Sequence, residues 1–370
     1  MGLKMKITEI EIFKGSIKLK EPFRIAIAEI PSAKSIFVKI KTDQGLYGIG
    51  EANPIWSITG ETQEIAFAAA VDLARFLIGK NPLQIEARLS ELDAFLVHNS
   101  TIKSAFDMAL HDLLGKTVEL PLYELLGGEK RIIYTDMTVG IADPDYMAEK
   151  ALQYKKAGFG IIKVKLGTEA DKDILRIAKI RKAIGKNVKL RIDANQGWNF
   201  PEALKVLKAL EPFEIEFCEQ PVPHWNFQDM KRLREKVSIP IMADESLFDH
   251  HDALRLAAEG CCDYFNVKLA KSGGINKALK IIAIAEAAGI DCMLGSMTET
   301  RLGLTAAAHL AAARPIVKFV DLDGYYMLGE DPVTGGTTYN AGEIKLPNEP
   351  GLGADIDPAF LKNCESVVVR

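Results

Sequence analysis

Sulfur chemistry has little place in this 370-residue chain. Its five cysteines, Cys218, Cys261, Cys262, Cys292 and Cys364, are odd in number and scattered among apolar neighbours. They fit neither a disulfide framework nor a zinc site, and read as reduced thiols of a cytoplasmic protein. There are only six histidines, and none stands in an HExxH spacing. His98, His111 and His309 fall on helical patterns as surface or core residues; His224, His250 and His251 fall in loops or helix starts. No run approaches the ~18 apolar residues that a spanning helix needs. The N-terminus alternates like a strand and lacks the apolar core of a signal peptide. Lys6 breaks the myristoylation pattern that Gly2 would begin. The net charge of −4 gives no electrostatic case for nucleic acid or an anionic membrane.

What is present is ordinary for a globular protein: 48% hydrophobic and 26% charged residues, in a chain long enough for more than one domain. Up to about residue 125 the pattern is strands, then helices. Ile7–Lys14, Ser35–Thr42 and Leu46–Glu51 read as antiparallel strands, with loops around Pro22–Ala28 and Ala52–Gly60. Helical stretches follow near 61–78, 83–97 and 101–115, and Gly127-Gly128 marks an end.

From about residue 130 the rhythm changes. Short apolar runs, Ile132–Val139, Gly160–Leu166, Lys189–Ala194, Ile215–Glu219, Ile239–Asp244, Tyr264–Lys268, Asp291–Leu294 and Lys318–Leu322, alternate with amphipathic helices such as Pro144–Lys156, Ala170–Ile184 and Ile275–Ala288. Eight such units with right-handed crossovers argue for a parallel (β/α) barrel. An open doubly wound sheet is the rival, weakened by the lack of a Gly-rich dinucleotide fingerprint after the first strand of any unit. The tail after about 325 has no further barrel unit and is expected to pack back on the N-terminal region.

The strands stay apolar until their C-terminal ends, where charges appear. Lys163 and Lys165 share one face, since residues i and i+2 of a strand point the same way. Two neighbouring ammonium groups are expected to lower each other's pKa, which suits a base. Asp193, Glu219, Asp244 and Lys268 follow at steps of 28, 26, 25 and 24 residues, each one β/α unit. The C-terminal mouth of a barrel is where active sites sit. Three converging carboxylates without His or Cys suit octahedral Mg²⁺. A lone Asp at such a junction is commonly a helix cap; three in successive units, flanked by lysines, are not readily explained so. Asp321 and Asp323 form a further i, i+2 pair at the end of the eighth strand. Ser272-Gly273-Gly274 opens a helix and reads as a simple cap rather than an anion site.

With these residues the chain resembles the enolase superfamily, in its muconate-lactonizing subgroup, over its whole length. The subgroup with an Asp–His dyad is excluded, because the seventh strand ends Leu294-Gly295-Ser296-Met297. The resemblance implies a modified (β/α)₇β barrel at 129–324, an α+β capping domain at 1–128, and a tail at 325–370 completing the cap. It also implies one Mg²⁺ per subunit, with Mn²⁺ as an alternative ion, on Asp193, Glu219 and Asp244. Lys165 and Lys268 would be bases on opposite faces of a carbon acid, and Lys163 an electrostatic partner of the ene-diolate.

Within the subgroup, Asp321-Leu322-Asp323 is similar to the dipeptide epimerases, where the pair holds a free ammonium group, and Thr298 and Glu299 look like their strand-seven loop. The expected activity is therefore 1,1-proton transfer at the C-terminal residue of a dipeptide, in a homo-oligomer. L-Ala-D/L-Glu epimerase, N-succinylamino acid racemase, o-succinylbenzoate synthase and cycloisomerase are the alternatives. A Schiff-base aldolase and a non-catalytic binding protein are opposed by the full carboxylate and lysine set. Epimerases for Ala-Glu carry a basic residue where this chain has Ala28. Alanine offers a carboxylate no partner, and Ile55, Trp56 and Ile58 of the second loop favour an apolar guest, so a small or hydrophobic second residue is expected, with Met297 as a further substrate contact. Arg24 is the residue that could reverse that expectation.

Overall fold

The computed structural model describes residues 5–370. The expectations about Met1–Lys4 and Gly2 lie outside the described residues. β1 (Ile7–Arg24), β2 (Glu29–Thr42) and β3 (Tyr47–Ala52) form an antiparallel sheet. The first strand runs ten residues beyond the Lys14 at which sequence patterning ends it. Ile17 and Leu19 continue the inward alternation, and a register shift between Lys18 and Phe23 carries the pairing past Pro22. The stretch expected as a loop is thus the tip of a long hairpin, Ile25–Ala28.

α1 (Gln63–Leu77), α2 (Ile85–Phe95) and α3 (Ser100–Thr117) cover this sheet, and the short α4 (Leu122–Leu125) follows. α3 lies so close on β3 that a Cβ at Gly48 or Gly50 would fall 1.9 or 2.0 Å from the carbonyl of Ala109 or Ala105. Only glycine permits that approach.

The chain then passes through β4 (Ile133–Tyr134) into the barrel. Its units are β5 (Met137–Val139), α5 (Pro144–Lys156), β6 (Ile161–Lys165), α6 (Ala170–Ile184), β7 (Lys189–Asp193), α7 (Phe200–Leu210), β8 (Ile215–Glu219), α8 (Phe227–Arg234), β9 (Ile241–Ala243) and α9 (His250–Glu259). β10 (Tyr264–Lys268), α10 (Leu269–Ser272), α11 (Ile275–Ala288), β11 (Asp291–Gly295), α12 (Arg301–Ala313) and β12 (Val317–Asp321) complete it. β5 to β12 pair in sequence order as one parallel eight-stranded sheet, the modified (β/α)₇β barrel. No ladder joins β12 to β5. A backbone bond from Asp136 N–H to the Val320 carbonyl (3.4 Å) and side-chain bonds bridge that seam: Leu322 N–H donates to Thr135 Oγ1 at 2.8 Å, and Thr138 N–H to Asp323 Oδ2 at 2.7 Å. The single first strand expected over Ile132–Val139 is therefore divided, because Thr135 and Asp136 turn to the seam.

The tail contains α13 (Gly324–Met327), β13 (Val333–Gly335), β14 (Thr338–Asn340), β15 (Glu343–Lys345), β16 (Ala354–Ile356), α14 (Pro358–Leu361) and β17 (Glu365–Val369). β17 adds to β1 in the N-terminal sheet, β15 pairs with β4, and β13 with β16. Among the described residues no helix is long and apolar enough to cross a membrane, and all five cysteines are free thiols.

Two carboxylates of the cap reach the barrel. Asp107 of α3 accepts from the N–H groups of Ile275 (2.8 Å) and Asn276 (3.1 Å) at the start of α11. Glu51 of β3 accepts from Thr300 (2.9 Å) and Gly303 (3.0 Å) at the start of α12. The Ser272-Gly273-Gly274 helix start thus receives a carboxylate of this chain.

Candidate active site

Parallel pairing sets the site. Lys165 lies beside Asp193 and Asp193 beside Glu219 in the ladder. Their side chains, with Asp244 just after β9 and Lys268 ending β10, enter the mouth of the barrel. One oxygen from each of Asp193, Glu219 and Asp244 lies within 4.8 Å of the others, and all three residues are buried. Lys163 Nζ sits among them, 2.6 Å from Glu219 Oε2, 2.7 Å from Asp321 Oδ2 and 3.2 Å from Asp193 Oδ2. Lys165 Nζ is 2.6 Å from Asp193 Oδ2, and Lys268 Nζ is 2.9 Å from Asp244 Oδ2. In strand order Lys165 on β6 and Lys268 on β10 stand four places apart, half of the eight-stranded barrel.

The electrostatics differ from the sequence expectation. Lys163 and Lys165 do share a face, but they do not sit as a bare ammonium pair. Burial works against the Lys163 ammonium, yet Asp321, Glu219 and Asp193 outweigh it and hold its pKa well above the ordinary lysine value. Lys268 is likewise raised, with Asp244 and Glu219 overcoming burial. Burial would raise Asp244, but Lys268 and Lys271 hold it far below the usual carboxylate range. Glu219 is pushed up to about 8 by burial and by Asp193 beside it.

The carboxylate trio fits Mg²⁺. The donors are all hard oxygens. Octahedral Mg–O distances of ~2.1 Å put ligand oxygens within about 4.2 Å of one another, and the three oxygens here all lie within 4.8 Å of one another. Glu219 Oε2 is buried without a hydrogen bond; its short contact to Lys163 is an ion pair of poor hydrogen-bond alignment.

Several supporting residues escaped the sequence reading. Lys271 is buried, and its ammonium donates to the carbonyls of Asp244 (2.5 Å) and Asn266 (3.1 Å) as well as to the Asp244 carboxylate. Its place inside a Gly-terminated helix start hid it. Asn266 Nδ2 donates to Glu219 Oε1 at 2.7 Å, and Asn195 Nδ2 to the buried Glu245 at 3.1 Å. The polar i, i+2 pairs Asn266/Lys268 and Asp193/Asn195 were the available signal.

The other expected site residues spread out from this centre. Asp321 meets Lys163, and Asp323, pushed up to about 6 by burial and Asp321, spans the seam. Thr298 is buried, and both its hydroxyl (2.7 Å) and its N–H (3.2 Å) donate to Asn53 of the cap, so its polar groups face the cap. Met297 and Ile55 pack in one apolar cluster with Ile30, Ala270 and Leu328. Ala28 is half-buried at the hairpin tip. That tip lies on the barrel mouth, since a Cβ on Gly167, two residues past Lys165, would approach Ala26 Cβ to 3.0 Å. Trp56 is 53% exposed, and Arg24 lines a cavity of about 480 Å³ between the hairpin stem, β5 and α5, whose wall also holds Phe23, with its ring centroid 5.9 Å from Lys165 Nζ, and Thr138, which bonds Asp323.

The chain is similar to known proteins over almost its whole length. Residues 7–127 match the mandelate racemase / muconate lactonizing enzyme N-terminal domain, and residues 146–360 the enolase C-terminal domain-like family. A D-Ala-D/L-Ala epimerase of Cytophaga hutchinsonii is 44% identical, over 99% of this chain and all of the relative. A hydrophobic dipeptide epimerase of Enterococcus faecalis is also 44% identical, over 94% of this chain and 99% of the relative. The crystal structure of the Cytophaga hutchinsonii dipeptide epimerase with Mg and D-Ala-L-Val superposes with a TM-score of 0.98, covering 99% of this chain and 100% of that one. The chain belongs to the enolase superfamily, in its mandelate racemase / muconate lactonizing branch.

Proposed function

We propose that this protein is a Mg²⁺-dependent dipeptide epimerase that inverts the α-carbon of the C-terminal residue of a dipeptide. The observation that carries the reading is the opposition of Lys165 and Lys268 across a carboxylate trio, with Asp321 and Asp323 beside it. The cap at 1–128, the barrel at 129–324 and the returning tail at 325–370 form one enzyme in this reading.

The chemistry follows from the charges. An α-proton next to a carboxylate is very weakly acidic, so the ene-diolate needs cations beside it. Mg²⁺ held by Asp193, Glu219 and Asp244 would supply a Lewis acid for the substrate carboxylate and would offset the negative field that raises Lys163 and Lys268. Lys163, buried among the carboxylates, contributes fixed positive charge to the ene-diolate. One of Lys165 and Lys268, as the free amine, takes the proton from its face of the substrate. The other, as the ammonium, returns a proton to the opposite face, and the configuration inverts. Asp321 and Asp323 accept from the substrate's free ammonium group.

The second residue of the dipeptide is small or hydrophobic in this reading. Ala28 on the hairpin tip has no charge for a distal carboxylate, and Ile55 and Met297 belong to an apolar cluster. The relatives named for D-Ala-D/L-Ala and for hydrophobic dipeptides point the same way. A panel of free dipeptides, followed by α-proton exchange in D₂O with and without EDTA, tests the reading. Exchange that EDTA leaves untouched, or none with any dipeptide, would overturn it.

A further inference from the structure

A second convergence of carboxylates lies in the barrel, in the seam where β12 and β5 fail to pair. One oxygen from each of Asp136, Asp321 and Asp323 lies within 4.8 Å of the others, and all three residues are buried. Asp136 interrupts an otherwise apolar run and plays no part in the activity as derived above. It is fully buried, and its Oδ1 has no hydrogen-bond partner. A buried carboxylate oxygen without a donor is costly, and calls for one.

The other oxygen is held firmly. Arg191 Nη1 donates to Asp136 Oδ2 at 2.8 Å and to the Val320 carbonyl at 3.1 Å, while Arg191 Nε donates to Glu216 Oε2 at 2.7 Å. The guanidinium lies 5.2 and 5.3 Å from the ring centroids of Phe217 and Phe319, so neighbouring aromatics fix it on two sides. Arginine keeps its charge when buried. Asp136 is therefore oriented, with one oxygen spoken for and one free, next to the pair that this reading gives to the substrate ammonium.

We infer that Asp136 is the third acceptor of that ammonium cradle, with Arg191 as its positioning residue. The inference rests on the dipeptide reading. A primary ammonium carries three N–H donors, and three carboxylates converge here. The charge count agrees: Asp321 shares Lys163 with Glu219 and Asp193, Asp136 is paired with Arg191, and among the described residues Asp323 has no cation within ion-pair distance, so one of the three charges is left for the substrate ammonium. A primary ammonium suits the cradle better than a second Mg²⁺, because Lys163 and Arg191 already take one oxygen each from Asp321 and Asp136 and would repel a divalent ion more strongly.

The test uses the full-length protein. Asp136→Asn and Asp136→Ser are compared with wild type on Ala-Val, and on its analogue with CH₃ in place of the ammonium as an inhibitor. Calorimetric Mg²⁺ titration serves as the fold control. The expected result is a KM for Ala-Val raised about ten-fold or more in both variants, kcat within a few-fold, unchanged Mg²⁺ affinity, and an analogue that binds all three proteins alike. An unchanged KM overturns the inference. So does a loss of Ala-Val and analogue binding in equal proportion, which marks a structural role, or a second Mg²⁺ per chain in the wild type. Absence of turnover in the wild type itself would instead defeat the dipeptide reading.

Discussion

Lys271 binds Asp244 through two different groups, the backbone carbonyl at 2.5 Å and a carboxylate oxygen. Both residues are buried, so the ammonium neutralises a carboxylate that water does not reach. Lys271→Met is expected to destabilise the Mg²⁺-free protein by about 1.5–3 kcal/mol, the cost of losing a buried hydrogen bond to a charged group, while Lys268 stays paired with Asp244. Lys268 and the metal are then left to neutralise Asp244. The rise in melting temperature on adding Mg²⁺ should be larger in the variant than in wild type. Thermal unfolding with and without Mg²⁺ checks this, and a smaller rise would mean that Lys271 matters more for aiming the carboxylate than for its charge.

Lys165→Ala and Lys268→Ala should each abolish epimerisation. Each variant keeps one base and should still wash deuterium into the α-position of a single stereoisomer, with opposite choices for the two. Proton NMR in D₂O started from each pure isomer reads this directly. Near-normal inversion in both variants would end the two-base assignment.

Ala28 gives the specificity prediction. Wild type should favour Ala-Val or Ala-Leu over Ala-Glu. Ala28→Arg should raise kcat/KM for Ala-Glu by about ten-fold, or ~1.4 kcal/mol at the transition state, with a loss on Ala-Leu. If wild type already prefers Ala-Glu ten-fold, Arg24 becomes the candidate partner of the distal carboxylate.

His309 gives the pH prediction. Its Nδ1 accepts from the Tyr123 N–H at 3.2 Å and its Nε2 donates to the Leu352 carbonyl at 3.1 Å, which fixes the neutral ring. Burial lowers its pKa to about 4. The folded value lies below the unfolded value of ~6.5. The contribution to stability is thus complete above that pH and is lost as pH falls towards the folded value, by up to ~3 kcal/mol. His309→Gln should show a smaller drop in urea midpoint between pH 7 and pH 4.5 than wild type. Equal drops would mean that the ring is protonated without penalty.

Much of this arrangement was legible in the chain. The β/α rhythm and the equal steps from Lys165 to Lys268 carry barrel position directly, because each unit adds one strand and returns to the same height. Helices α5, α6 and α11 begin and end where their patterns do. Long-range pairing was not legible. Nothing local tells that β1 runs through Gly15 and Pro22, since its partner β2 supplies the reason. Ile133-Tyr134 reads as barrel strand until β15, more than two hundred residues on, claims it. Asp136, Lys271 and Glu51 look like isolated charges in sequence; their roles come from groups that the fold brings to them.

The carboxylates of Asp107 and Glu51 carry a last consequence. α11 begins at Gly274 with no side-chain cap of its own, and its first N–H groups are satisfied by a residue of the cap. The start of α12 has its own cap, Thr300, whose hydroxyl accepts from Leu302 N–H, and draws on Glu51 for the N–H groups of Thr300 and Gly303. Helix starts left without acceptors in a buried setting are unstable. The two halves are therefore not interchangeable modules. A barrel produced alone would fray at two helices, and a chimera that takes its cap from another lineage would need carboxylates at both positions before its substrate loops mattered at all.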